Sequence, residues 1–215
     1  MKISTKKITM LAMLAALAYV VMFVGRVPIV LFLKYDPKDV VIAIGGFIFG
    51  PLSAFVISVL VSLIEMFTVS DTGFIGLIMN ILSTCAFACT AAFIYKKKRT
   101  LAGAVAGLLA GCVLMTLVMI LWNYLVTPIY MDMAREKVAA MLVPAFLPFN
   151  LLKGGLNTAI TLLLYKPAVS ALRRARLLEP AQSAAPRSRY IGTLLVGLLL
   201  LATFVLLTLV FTGKI

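Results

Sequence analysis

The chain of 215 residues contains no histidine, three cysteines, one tryptophan and only seven acidic side chains. Hydrolytic chemistry needs a nucleophile next to a base, and here the usual imidazole base is missing and no paired carboxylates project into an apolar stretch. A proton relay or ion path would want carboxylates at mid-membrane depth, and the sequence places none there. Cys85, Cys89 and Cys112 lie inside apolar runs in no metal-ligand spacing, so they read as small hydrophobic packing residues. No glycine-rich loop ends in Gly-Lys-Ser or Gly-Lys-Thr, which excludes ATP hydrolysis by this chain through a P-loop. Charge is scarce as well, at 13% of residues against about 25% in soluble domains.

What is abundant is apolar surface. Hydrophobic residues make up 63% of the chain and the mean hydropathy is +1.14. Apolar runs long enough to cross a hydrocarbon core of about 30 Å recur along it. The reading is an all-α, polytopic membrane protein. Spans are expected at about Ile8–Gly25, Val40–Phe49, Leu52–Thr68, Phe74–Tyr95, Leu101–Thr127, Val143–Tyr165 and Tyr190–Thr212. Residues Arg26 to Asp39 read as a loop or re-entrant stretch, and Gly50-Pro51 as a turn. A polar connection runs through Asp132, Arg135, Glu136 and Lys137. The first span has a basic start like a signal peptide, but it is longer than a typical h-region of about 7–15 residues and reads as a retained helix.

The formal charge of +13 does not point to nucleic acid, because the basic residues sit in short clusters between apolar runs rather than along a groove with aromatics. Lys2, Lys6 and Lys7, then Lys96 to Arg99, then Lys166 to Arg189 all fall on one side of the bilayer if the amino terminus is cytoplasmic. That is the positive-inside pattern, and it assigns the basicity to topology and anionic headgroups. Asp36, Asp39, Glu65, Asp71, Asp132 and Glu136 then fall at outer helix ends or in outer loops, and Glu179 inside.

Polar side chains within a membrane are expensive, so a set of them facing a cavity marks a candidate ligand site. Asn150, Lys153 and Asn157 share one face of span six. Pro148 and Gly154-Gly155 are expected to weaken that helix and leave room beside the lysine. The alternative for Lys153 is snorkelling to the outer headgroups. Asn123 and Thr127 share a face of span five; Asn123 either tethers another helix or reads the edge of a flat heterocycle. Trp122 reads as an interfacial belt residue. Thr72, Gly73 and Asn80 lie at the start of span four, Asn80 also being a candidate interhelical tether. Glu65 closes span three, and the segment Lys34-Tyr35-Asp36 can cover the opening. Amides, hydroxyls, one buried cation and aromatics at one depth suit a neutral or weakly anionic, partly aromatic ligand with hydroxyls. Binding is favoured over catalysis.

Gly46-xxx-Gly50, Gly103-xxx-Gly107-xxx-Gly111 and Ala12-xxx-Ala16 place small residues on single helix faces, for packing within the bundle or for partner docking.

Five strings carry a resemblance: Leu33-Lys-Tyr-Asp-Pro-Lys-Asp39, Gly45-Gly-Phe-Ile-Phe-Gly-Pro51, Thr72-Gly-Phe-Ile-Gly76 with Met79-Asn80, Asn123 through Thr127-Pro128, and Leu147-Pro-Phe-Asn-Leu-Leu-Lys-Gly-Gly-Leu-Asn157. Over about residues 8 to 170 the sequence resembles the substrate-binding S components of energy-coupling factor (ECF) vitamin transporters, the riboflavin-specific type in particular. The resemblance implies a six-helix bundle in a prokaryotic cell membrane that captures riboflavin from outside, with no cofactor. It puts Asn123, Asn150 and Lys153 at the polar edge of the isoalloxazine ring, and ribityl partners in the Tyr35-Asp36 and Thr72-Gly73 loops. Ala12 and Ala16 would dock a transmembrane coupling subunit that joins two cytoplasmic ATPases, whose ATP-driven cycle would tilt the whole S component. The division expected is a binding domain over residues 1–172, a basic cytoplasmic linker over 173–189 with a flexible tether through Ala181 to Arg189, and an additional transmembrane helix over 190–215 that the six-helix pattern lacks. A different heterocyclic vitamin, or a membrane enzyme or packing and assembly protein whose polar residues only tether helices, are the rival readings.

Overall fold

The computed structural model describes residues 5–30, 33–177 and 187–211. Five of its helical stretches are long and apolar enough to cross a bilayer: Thr5–Gly25, Pro51–Thr68, Gly73–Lys97, Leu101–Tyr130 and Arg135–Arg174. The first is α1 and the second α3. Between them a short antiparallel hairpin, β1 (Val27–Val30) and β2 (Leu33–Tyr35), leads into α2 (Lys38–Phe49). Asp132, Arg135, Glu136 and Lys137 were expected in one connection, yet a helix begins at Arg135 and its first residues carry that charge. Glu179 and the proposed tether from Ala181 lie outside the described residues as far as 186.

With twelve residues α2 is about 18 Å long, too short to cross alone. It is the innermost helix, with everything from Lys38 to Phe47 buried, and the hairpin leads directly into it. The expected loop at 26–39 is therefore partly strand. α2 ends at Gly50, whose φ of 95° is a conformation that only glycine adopts without strain. Pro51 then opens α3, where its missing N–H costs no hydrogen bond.

Two of the spanning stretches contain a π-helical turn. Gly73–Lys97 is α4 (Gly73–Thr84), a π-turn at Cys85–Cys89 and α5 (Thr90–Lys97). Arg135–Arg174 is α7 (Arg135–Met141), a π-turn at Leu142–Phe146 and α8 (Leu147–Arg174). Pro144 lies in the second π-turn, where its missing donor is absorbed without breaking the helix. Pro148 sits in the first turn of α8, which runs uninterrupted through Gly154 and Gly155. Those glycines do not loosen the helix as expected. They are notches: a Cβ on Gly154 would strike Cys112 of α6 (Leu101–Tyr130), and one on Gly155 would strike the Phe204 ring of α9 (Arg187–Phe211).

The glycine stripe of α6 works for internal packing, since a Cβ on Gly103, Gly107 or Gly111 would meet the backbone carbonyls of Lys98, Ala91 and Phe87. Backbones this close supply dispersion contact where lipid removes the hydrophobic driving force between helices. The main apolar core joins α1, α2, α3, α5 and α6 around residues such as Ile42, Ile57, Phe87 and Met115. Leu109, Val113, Leu117 and Leu121 of α6 remain exposed, a surface suited to acyl chains and not to water.

Candidate ligand-binding site

The chain leaves α1 at Arg26, turns through the hairpin and enters α2 at Lys38 and Asp39, so charges from two helix ends and a loop meet Glu65 in the last turn of α3. The Lys38 ammonium donates to Glu65 Oε2 at 2.8 Å and lies 3.5 Å from the Asp36 carboxylate. The Arg26 guanidinium pairs with the other Glu65 oxygen. Lys153 Nζ stands 3.5 Å from Asp39 Oδ2 and 3.7 Å from Asp36 Oδ2. Thr84 donates to Asp39 Oδ1 at 2.7 Å, Asn157 Nδ2 donates to Asp39 Oδ2 at 3.3 Å, and the Tyr35 hydroxyl donates to Asn157 Oδ1 at 2.9 Å.

This network corrects two expectations. Asp36, Asp39 and Glu65 are all buried, although the apolar spans suggested no carboxylates in the interior. Lys38 is wholly buried beside Lys153, so the site holds more than one interior cation. Buried ions persist only when paired and hydrogen-bonded, and here each acid has a basic partner. Lys153 reaches inward to carboxylates instead of snorkelling to headgroups. Burial disfavours the Asp36 anion, but Lys153, Lys38 and Arg26 outweigh it and hold its pKa down at about 2. Burial, followed by the Asp36 and Asp39 charges, raises the pKa of the Tyr35 phenol, which keeps it a donor.

Above the network lies a cavity of about 310 Å³, at the lower end of the range for small-molecule sites. Of the residues singled out from the sequence, Asp36, Glu65, Thr72, Asn80, Asn123, Asn150 and Lys153 line it. Tyr35, Gly73, Thr127 and Asn157 do not. Tyr35 and Asn157 sit one layer below and orient Asp39, while Thr127 donates to Asn123 Oδ1 at 2.9 Å. Gly73 opens α4 with a positive φ of 54°. Asn123 and Asn150 each donate one amide hydrogen to the preceding turn of their own helix, to Met119 O at 2.6 Å and Phe146 O at 2.8 Å, which fixes both amide planes. The charges on the lining balance: Arg26, Lys34 and Lys153 against Asp36, Glu65 and Asp71. Its walls are softened by Leu33, Met79, Met119 and Phe149. Such a site accepts an uncharged ligand with an apolar body and several hydrogen-bonding groups.

The sequence profile described as "ECF transporter, substrate-specific component" matches residues 6–165. The chain belongs to this family. Its relatives include the riboflavin transporter RibU of Staphylococcus aureus, 30% identical over 180 residues that cover 79% of this chain and 93% of the relative. The riboflavin transporter FmnP of Bacillus subtilis is 27% identical over 188 residues, covering 80% of this chain and 98% of its own length. A solved structure described as "Structure and mechanism of the S component of a bacterial ECF transporter" superposes with a TM-score of 0.66 at 28% identity, covering 79% of this chain and 98% of its own. The family comprises transporter components and not enzymes, so this S component is a multi-pass protein of the cell membrane.

Several lining residues of this S component were not singled out from the sequence. Arg26 and Asp71 are only loop charges in the sequence, and Lys34 is part of a segment expected to cover the opening; Lys34 and Asp71 approach to 3.3 Å across the rim and tie the hairpin to the loop before α4. Ser83, Met119 and Phe149 gave no signal beyond their helical neighbours Asn80, Asn123 and Asn150. The cysteines behave as packing residues: Cys85 and Cys89 donate to Ser58 Oγ and Pro51 O across the α3 interface, and Cys112 faces Gly154. Trp122 is half-buried against the main core.

Proposed function

We propose that this S component captures riboflavin from the outer side of the membrane for an ATP-driven importer. The observation that carries the reading is the wall formed by Asn123, Asn150 and Lys153 in a charge-balanced, part-apolar cavity, because fixed amides beside an ammonium match the donor and acceptor edge of a flat, uncharged heterocycle. The names of the relatives point the same way. Asp36 and Thr72, also on the lining, supply partners for ribityl hydroxyls.

The orientation is supported by where the basic clusters gather. Lys6 Nζ donates to Arg176 O at 3.0 Å, joining the start of α1 to the end of α8. The Tyr95 and Tyr165 hydroxyls meet at 2.9 Å, bringing the Lys96–Arg99 turn to the same end. By the positive-inside bias that end, with the amino terminus, is cytoplasmic and the cavity is outside. Ala12 and Ala16 are exposed on α1 and offer a small-residue face to a transmembrane coupling subunit that carries two ATPases.

Purified protein is expected to quench riboflavin fluorescence and to carry visible flavin absorption after mild purification. Asn123→Ala and Lys153→Ala each weaken binding by at least about tenfold, since each leaves buried polar ligand atoms unpaired. Unchanged flavin fluorescence at high protein concentration refutes the proposal, and competition with other heterocyclic vitamins tests the specificity.

A further inference from the structure

The family profile ends at Tyr165, so α9 lies outside the shared part of the fold. It nevertheless packs along α8. Gly197 of α9 takes the Leu163 side chain of α8, and Gly155 of α8 takes the Phe204 ring of α9. These are reciprocal notches, one on each helix. Leu201 and Phe204 also close a small apolar cluster separate from the main core, made of Ile29 and Tyr35 of the hairpin and Phe149, Leu152 and Leu156 of α8.

We propose that α9 is a positioning element for the ligand site, acting through Phe204 on the hairpin. The cluster that Phe204 completes contains the ring of Tyr35. The Tyr35 hydroxyl holds Asn157, Asn157 holds Asp39, and Asp39 pairs with Lys153 on the cavity wall. Phe149 and Leu152 flank Asn150 and Lys153 on α8. Without α9 this face of Gly155 and the hairpin would meet acyl chains. Lipid tails are as apolar as phenylalanine, so α9 gains little from hydrophobic transfer. What the seated ring supplies is fixed contact: a fluid chain cannot define one position for a side chain, whereas interlocked packing does. Lys38, Arg26 and Glu65 anchor the hairpin from the α3 side, and Phe204 anchors it from the α8 side.

The test uses the full chain in nanodiscs with Phe204→Ala, Gly155→Ala, Phe204→Leu and the double variant Gly155→Ala/Phe204→Ala. Two quantities are measured: hydrogen exchange of the β1 and β2 amides in ligand-free protein, and the riboflavin dissociation rate. Phe204→Ala leaves a void and Gly155→Ala displaces the ring, so each speeds hairpin exchange and raises the release rate by about tenfold, with little change in the association rate. In the double variant the new methyl group occupies space vacated by the ring, and both readouts recover in part, as they do for Phe204→Leu. Unchanged hairpin exchange in Phe204→Ala and Gly155→Ala overturns the proposal. So does a loss in the double variant equal to the sum of the single losses, which marks general destabilisation. The release-rate readout rests on the riboflavin reading. If the parent chain binds no riboflavin that reading fails, and hairpin exchange in the ligand-free protein decides the role of α9 by itself.

Discussion

Lys153 pairs with both Asp36 and Asp39, and because Asp36 keeps Lys38, its removal strands the buried Asp39 carboxylate. Lys153→Met is expected to destabilise the protein by about 3–5 kcal/mol, because an uncompensated buried charge costs more than the ion pair contributes. Combining it with Asp39→Asn should return part of that loss while riboflavin binding stays impaired, and thermal unfolding in detergent beside a binding titration separates the two effects. If the double variant unfolds no later than Lys153→Met, the pairing is not what stabilises this region. Asp36 gives a second readout. Its pKa is depressed from an ordinary 3.8 to about 2 in the folded protein, so its contribution to stability is complete above about pH 4 and is lost as pH falls through about 2. Asp36→Asn should therefore flatten the fall of melting temperature between about pH 4 and pH 2, and an unaltered profile would assign the acid sensitivity to other groups.

At the scale of elements the bend between α2 and α3 depends on Gly50, where an added Cβ would meet nothing within 4 Å yet φ is 95°. Gly50→Ala should cost about 1–2 kcal/mol from backbone strain alone, whereas Gly107→Val should cost more, because its side chain would enter the Ala91 backbone. Comparison of the two melting temperatures checks this order. The sequence made the spans legible because each is a long apolar run, and it made Gly50-Pro51 legible because few residues suit that bend. It did not reveal the hairpin: three- and four-residue strands carry too short an alternation, and Pro28 argues against a strand. The apolar run alone puts the start of the sixth span too late, because the charges of Arg135–Lys137 mask a helix that begins before it. Asn123, Asn150 and Lys153 were legible as polar groups in apolar helices. Asp36 and Glu65 were legible as candidates at the opening, but their pairing with Arg26, Lys38 and Lys153 was not, since it depends on a hairpin that turns inward and no local pattern records that.

For the whole molecule the two ends differ in chemical character. One end gathers Lys6, the Lys96–Arg99 turn and the Arg173–Arg176 terminus of α8, joined through the Lys6–Arg176 and Tyr95–Tyr165 contacts. The other holds a cavity whose basic and acidic side chains cancel. A net-basic surface favours an anionic leaflet, and a charge-balanced cavity has no long-range pull on ions, which suits selection of a neutral solute by short-range contacts. Two consequences follow from this polarity. Riboflavin affinity should vary little between about 0.05 and 0.5 M salt, because exchange of a neutral ligand moves no net charge through the screened region; a steep salt dependence would mean that the bound species is anionic. In intact cells, with Cys85, Cys89 and Cys112 replaced by alanine, a membrane-impermeant thiol reagent should label Asp71→Cys at the cavity rim and leave Arg99→Cys unlabelled until the cells are permeabilised. Riboflavin should protect Asp71→Cys, because Asp71 lines the cavity, and the opposite labelling pattern would turn the site toward the cytoplasm and remove the basis for uptake from outside.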